Sequence, residues 1–340
     1  MTVLPALALA ASMLAAADTT AAEATAGPAR YGERLQGFDY PWPVREFPLR
    51  SQDQDLVMAY MDIAPVGAAN GNSVVLLHGK NFCAATWEGT IRVLAEAGYR
   101  VLALDQIGFC KSSKPRGYQF SFPQLAANTH ALLEHAGVRR PIVIGHSMGG
   151  MLAARYALQY PHDVARLVMV GPLGLEDWQA KGVPYATIEQ NAAAERRTSA
   201  DSIKAYQLRF YYDGQWRPQY QRWVDMQAGL YGGSGAAIVA WNQAQTSDMI
   251  FTQPVVHEFP RLRVPTVLMI GGKDRTAPGA NRASPELADT LGRYDLLGKE
   301  AAKAIPGARL IDFPDLGHAP QMESADRFHT ALLPALRGSD

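Results

Sequence analysis

Three residues, far apart in the chain, could together activate a hydroxyl for attack on a carbonyl. Ser147 stands in Gly145-His146-Ser147-Met148-Gly149, where small residues flank a serine at the apex of a tight turn. A serine hydroxyl is a weak nucleophile at neutral pH and needs a base whose tautomer a third group fixes. Of the eight histidines, His318 follows the last predicted strand in Asp315-Leu316-Gly317-His318-Ala319-Pro320. An orienting carboxylate should come from another strand end. Asp274 fits, in Gly271-Gly272-Lys273-Asp274-Arg275, with Asp177 as the rival position after the strand that ends at Val170. A tetrahedral oxyanion needs two fixed backbone donors. The amide of Met148 opens the helix after the serine. The loop after His78-Gly79 offers the amide of Lys80, with Asn81 next by side chain or backbone. Each residue also has a plainer role: Ser147 as a small turn residue, His318 as a loop cap against Asp315, Asp274 as a turn residue beside Arg275.

These residues sit where strands end. Pro141–Ile144 before the serine is a solid apolar run, and an amphipathic helix follows it, as the turn's mechanics require. Ser73–Leu77, Arg100–Leu104, Leu167–Val170, Thr266–Ile270 and Arg309–Phe313 read the same way, as strands covered on both faces. Val44–Ser51 and Leu56–Ile63 alternate instead, which predicts an antiparallel hairpin at a sheet edge. Helical spacing marks Trp87–Ala97, Phe122–Ala136, Pro285–Ala304 and Ala325–Leu336. The pattern is α/β: a doubly wound, mostly parallel sheet. The rhythm breaks from about Pro172 to Phe259, a stretch rich in helix formers and aromatics such as Tyr206, Tyr211, Trp216 and Trp241. We expect a helical cap at 172–259 inserted after the sixth strand, with core segments at 31–171 and 260–340. Its aromatics predict an apolar pocket or, more plainly, the cap's own core.

Composition excludes several function classes. Lys+Arg and Asp+Glu are 32 each, so nucleic acid and anionic membranes have no electrostatic support as partners. No histidine or cysteine spacing predicts a metal site, and no cofactor motif appears. The partner expected is a small-molecule substrate; the oligomeric state is left open. Residues 1–30 form an Ala-rich leader whose apolar run, Val3–Ala17, is too short to span a bilayer. Ala15-Ala16-Ala17 and Ala22-Glu23-Ala24 are both cleavage-like, although the first basic residue is Arg30. We read the leader as an export signal, which predicts a periplasmic or secreted protein, and otherwise as a disordered tail on a cytoplasmic one.

Leu77-His78-Gly79, Gly145-His146-Ser147-Met148-Gly149-Gly150, Gly272-Lys273-Asp274-Arg275 and Gly317-His318, in this order, resemble the cap-bearing serine hydrolases of the α/β-hydrolase superfamily. The resemblance implies the triad Ser147, Asp274 and His318, an oxyanion hole from the Lys80 and Met148 amides, and an acyl-enzyme route. Haloalkane dehalogenases and epoxide hydrolases of this fold use an aspartate nucleophile, and this turn carries Ser147. Two features depart from the pattern. The loop Asp105–Cys110 has Phe and Cys where the family commonly shows Gly-x-Ser, and the segment from Arg275 to Gly317 is longer than usual. In the family's fold the strands ending at His78 and Asp105 are neighbours, which makes a Cys83–Cys110 disulfide an expectation. The function expected is hydrolysis of a small to medium apolar carboxylic ester or lactone. Carbon–carbon, amide or thioester hydrolysis by the same triad, or ligand binding with little catalysis, are the alternatives.

Overall fold

A computed structural model describes residues 1–2 and 29–337; nearly all of the leader lies outside the described residues. The strands are β1 (Val44–Ser51), β2 (Gln54–Ile63), β3 (Ser73–Leu77), β4 (Arg100–Leu104), β5 (Ile142–His146), β6 (Arg166–Val170), β7 (Thr266–Gly271) and β8 (Arg309–Phe313). They form one sheet in the order β1-β2-β4-β3-β5-β6-β7-β8. The β1/β2 and β2/β4 pairs are antiparallel and all others parallel.

Alternate residues of each central strand face opposite sides, so the sheet has two cores. On one side Val74, Leu76, Val101, Ile144 and Val168 pack with α1 (Glu88–Glu96) and α11 (Ala325–Leu336). On the other, Val75, Leu77, Val143, Met169 and Leu268 pack with α2 (Phe122–His135), α3 (Met148–Gln159) and α9 (Tyr294–Ala304). Between β6 and β7 the chain forms α4 (Ile188–Glu195), α5 (Ala200–Phe210), α6 (Gln221–Tyr231) and α7 (Ala236–Thr252). Among the described residues, no helix is long and apolar enough to cross a membrane.

Two expected helices are shorter than their sequence pattern. The stretch Pro285–Ala304 breaks into α8 (Pro285–Ala288) and α9, because Gly292 turns at φ 63° and its amide bonds the Glu176 carboxylate at 2.8 Å. Similarly, α1 begins at Glu88, after a 3₁₀ turn at Ala84–Trp87. A short helix, α10 (Pro320–Glu323), precedes α11.

The chain runs from β3 outward to β4 and then crosses back to β5 on the other side of β3. Two adjacent strands whose chains leave in opposite directions open a crevice at their carboxyl ends, where open α/β sheets bind ligands. His78-Gly79 leaves β3 there, and Ser147 leaves β5.

Cys83 and Cys110 form a disulfide with Cα atoms 5.9 Å apart, joining the loops that follow β3 and β4. Cys110 holds φ 44°, in the left-handed region that favours glycine. Nearby, the buried Ser112 hydroxyl donates to the Asp105 carbonyl at 2.7 Å and accepts the Ala59 amide at 2.8 Å. Asp105 in turn anchors the Ala84 amide, the Tyr40 hydroxyl and the Lys111 amide. Closing a loop across a sequence separation of 27 stabilises by roughly 3 kcal/mol, against about 1–2 kcal/mol for a non-glycine residue in this backbone region. Thermal unfolding should therefore show a lower midpoint for Cys83→Ala/Cys110→Ala than for wild type. Cys83→Ala/Cys110→Gly should recover part of the loss. Equal midpoints for the two double variants would contradict this account of Cys110.

Candidate active site

β5 ends at His146 and α3 begins at Met148, leaving Ser147 between them at φ 57° and ψ −120°. The backbone accepts this conformation because its neighbours come close. A Cβ on Gly145 would run into the Gly149 carbonyl, and one on Gly149 into the Leu77 carbonyl. The Ser147 amide bonds the Val170 carbonyl at 3.1 Å, and its carbonyl accepts the amides of Gly150 and Leu173. The serine is thus tied to β6 and to its own helix.

His318 and Asp274 meet at the carboxyl ends of β8 and β7, both fully buried. His318 Nδ1 donates to Asp274 Oδ2 at 2.6 Å, while Asp274 Oδ1 accepts the Thr276 amide at 2.8 Å. In the neutral ring this tautomer leaves Nε2 as an acceptor. That nitrogen is buried and has no hydrogen-bond partner among the described residues. The backbone of His318 is held at both ends. Its amide bonds the Phe210 carbonyl at the end of α5 (3.1 Å), and its carbonyl accepts His146 Nε2 at 2.9 Å. Burial drives the pKa of His146 well down, so its ring stays neutral beside the serine.

Asp177, the rival carboxylate, bonds His257 at 2.8 Å and caps the Ala180 amide, away from His318. Desolvation raises its pKa, but its bonds from Ala180 and His257 together outweigh that and bring the pKa down.

The donor loop is equally defined. Neither the Lys80 nor the Met148 amide bonds another protein group among the described residues. The Lys80 ammonium pairs with Glu195 on α4 at 2.7 Å. Asn81 donates to the Tyr211 hydroxyl at 2.9 Å and accepts Gln227 at 3.2 Å. Its side chain is therefore committed to α5–α6 contacts. The two backbone amides remain the available donors. Cys83, Asp105 and Cys110 are the ligand-type atoms close enough to share an ion among the described residues, and there the sulfurs are bonded to each other.

Above these groups is a cavity of about 600 Å³, lined by Ser147, Lys80, Asn81, Tyr206, Tyr211 and Phe251 among others. Of the aromatic-rich stretch, Tyr206 and Tyr211 line the cavity, while Tyr212, Tyr220 and Trp223, like Tyr211, are buried in the core. The rest of the cavity wall is mixed, with Asn191, Thr198, Ser202 and Gln207 beside Leu173, Ile203 and Ile250. The aromatic count gave no sign of these polar groups, because they come from α4, α5 and the turn between them without a motif.

The model of the family described as the alpha/beta hydrolase fold matches residues 72–325. The chain belongs to this family. It is a hydrolase fold enzyme by that membership and by its relatives. A solved structure, a probable hydrolytic enzyme from Pseudomonas aeruginosa PAO1, shares 60% identity and a TM-score of 0.91, covering 92% of this chain and 99% of that one. The 2-hydroxy-6-oxononadienedioate/2-hydroxy-6-oxononatrienedioate hydrolase of Comamonas testosteroni is 24% identical over 78% of this chain and 88% of its own length. Lipase 1 of Psychrobacter immobilis is 27% identical over 78% and 77%.

One residue of this hydrolase's site carries no sequence signal. Glu323, at the end of α10, accepts the Gly317 amide at 2.6 Å and so fixes the loop just before His318. Burial raises its pKa from 4.5 to about 6, helped by Asp213 and Asp315 and opposed by the Gly317 bond and Lys273. A carboxyl raised in the folded state adds stability while protonated. That contribution is complete below the ordinary pKa and is lost as pH rises through about 6. Glu323→Gln keeps an acceptor for Gly317 and removes the charge. Melting curves should show its midpoint rising relative to wild type between pH 4.5 and 7; a pH-independent difference would contradict the assignment.

Proposed function

We propose that the protein is a serine hydrolase that cleaves a small to medium carboxylic ester or lactone through an acyl-enzyme. The observation that carries this reading is the Asp274–His318 bond, which leaves a buried Nε2 without a partner among the described residues, on a histidine whose carbonyl is held by His146, the neighbour of Ser147. Nε2 takes the Ser147 proton as Oγ attacks the carbonyl carbon, and Asp274 stabilises the imidazolium that forms. The amides of Lys80 and Met148 receive the oxyanion, with the N-terminus of α3 adding a favourable dipole. Collapse expels the alcohol, which takes the proton from His318. Water, activated by the same nitrogen, then releases the acid and restores the serine.

The helical segment 172–259 acts in this reading as a cap. Its contacts with catalytic parts support that: Phe210 with the His318 amide, Tyr211 at 5.0 Å from the His318 ring, and Glu195 with Lys80. A closed cap excludes water and strengthens the electrostatic terms. We further propose that the leader directs export, consistent with the Cys83–Cys110 disulfide, since such bonds persist in oxidising compartments.

The names of the curated relatives favour one second reading, hydrolysis of a carbon–carbon bond in a 2-hydroxy-6-oxodienoate. The ratio of kcat/KM on an ester to that on such a compound decides between the two.

Hydrolysis of p-nitrophenyl esters from acetyl to dodecanoyl tests the main reading. Turnover should be highest at short to medium chains. Ser147→Ala and His318→Ala should lower kcat by at least about 10⁴-fold, and Asp274→Asn by a comparable factor. Turnover that survives Ser147→Ala, with the variant folded, would contradict the mechanism.

A further inference from the structure

The cavity is lined by the buried Ser147 and also by the exposed Ser202 and Asn281, with the half-buried Arg282 next to Asn281 in the chain. Arg282 belongs to the long segment between Asp274 and His318, in the turn Ala280–Arg282 that follows Gly279. Two contacts hold its guanidinium. Nε donates to the Pro184 carbonyl at 2.9 Å, and the group sits 5.1 Å from the Phe251 ring centroid. Gly279, at φ 85°, leaves room beside it: a Cβ there would lie 2.6 Å from Arg282 Nη2.

Three charged side chains line this cavity: Lys80, Glu195 and Arg282. Lys80 and Glu195 neutralise each other at 2.7 Å, and Glu195 also takes the Tyr231 hydroxyl. Among the described residues no carboxylate lies within ion-pair distance of Arg282, and burial lowers its pKa, as expected for a partly desolvated cation without an anion. It nevertheless stays charged at any physiological pH. The cavity therefore carries one uncompensated positive charge, on a half-buried side chain beside the exposed Asn281.

We propose that Arg282 is a carboxylate subsite and that the substrate is an ester bearing a free carboxylate at the end remote from the scissile bond. This rests on the reading of Ser147 as the nucleophile and adds a substrate class to it. A planar guanidinium with Nε occupied still offers its two Nη atoms as donors, which suit a carboxylate. With one free cation, the rim neutralises a single negative charge. The hydroxyl and amide groups of Ser202 and Asn281 add polar contacts at the same mouth.

Binding and turnover together test this. Monomethyl glutarate and methyl pentanoate differ essentially by one terminal carboxylate. Titrated calorimetrically into the Ser147→Ala protein, which cannot consume either, the acid ester should bind roughly 10- to 100-fold more tightly. Raising the salt concentration should shrink that ratio. Arg282→Gln should bring it close to one, and Arg282→Lys should retain part of it. Equal affinities in the Ser147→Ala protein, or a ratio that Arg282→Gln leaves intact, would overturn the proposal. Wild-type turnover of both esters reports separately on the nucleophile. Absent turnover with a preserved binding ratio would remove the esterase reading and keep the anion subsite.

Discussion

The site depends on a backbone constraint: Ser147 held at positive φ between a buried strand and a helix. A serine in that conformation costs on the order of 1–3 kcal/mol, and it persists because the surrounding contacts leave no alternative. Gly145 and Gly149 let helix α3 sit against the ends of β3 and β5, where any side chain would meet a carbonyl. The turn lies beside the β3–β5 crevice, so the loop that leaves β3 at Gly79 passes close to the Ser147 side chain: a Cβ on Gly79 would lie 3.0 Å from Ser147 Cβ. The topology thus brings the Gly79-Lys80 loop and Ser147 to one place before any polar contact is considered.

The remaining parts are held from several directions. Asp274 and His318 are completely buried, where a lone carboxylate would be costly. The bonds from Thr276 and His318 make that burial tolerable. His146 supports the carbonyl of His318, Phe210 its amide, and Glu323 the residue before it. The disulfide fastens the loop that carries Lys80 to the loop after β4. Because α4 touches Lys80 and α5 touches His318, a movement of the helices between β6 and β7 would reach both residues together.

The sheet was readable in the sequence because parallel strands covered on both faces are unbroken apolar runs. β3, β4 and β8 coincide with the expected bounds, and the hairpin β1–β2 showed its exposure as alternation. Pro285–Ala304 was less legible: helix formers run through it, and only the tertiary bond from Gly292 to Glu176 breaks it. The positions of Ser147, Asp274 and His318 were readable since each follows a strand end in a small-residue turn. Glu323, Glu195, Gln207 and Arg282 were not, because they reach the site from separate helices and turns without fixed spacing. The aromatics of the stretch led to Tyr206, Tyr211 and Phe251 on the cavity wall, while the polar residues beside them are a result of packing. The hole in the pattern at Cys110 became meaningful only once its partner Cys83 and its positive φ were seen together.

The most direct test of the central claim is labelling by a fluorophosphonate, which reacts rapidly only with a serine activated by a neighbouring base. Intact-mass analysis followed by peptide mapping should find a single adduct, on Ser147, formed rapidly in the wild type. Labelling should be abolished by Ser147→Ala and strongly slowed by His318→Ala. No adduct on the folded wild type, or an adduct on another residue, would contradict the assignment of Ser147, His318 and Asp274 as one catalytic unit.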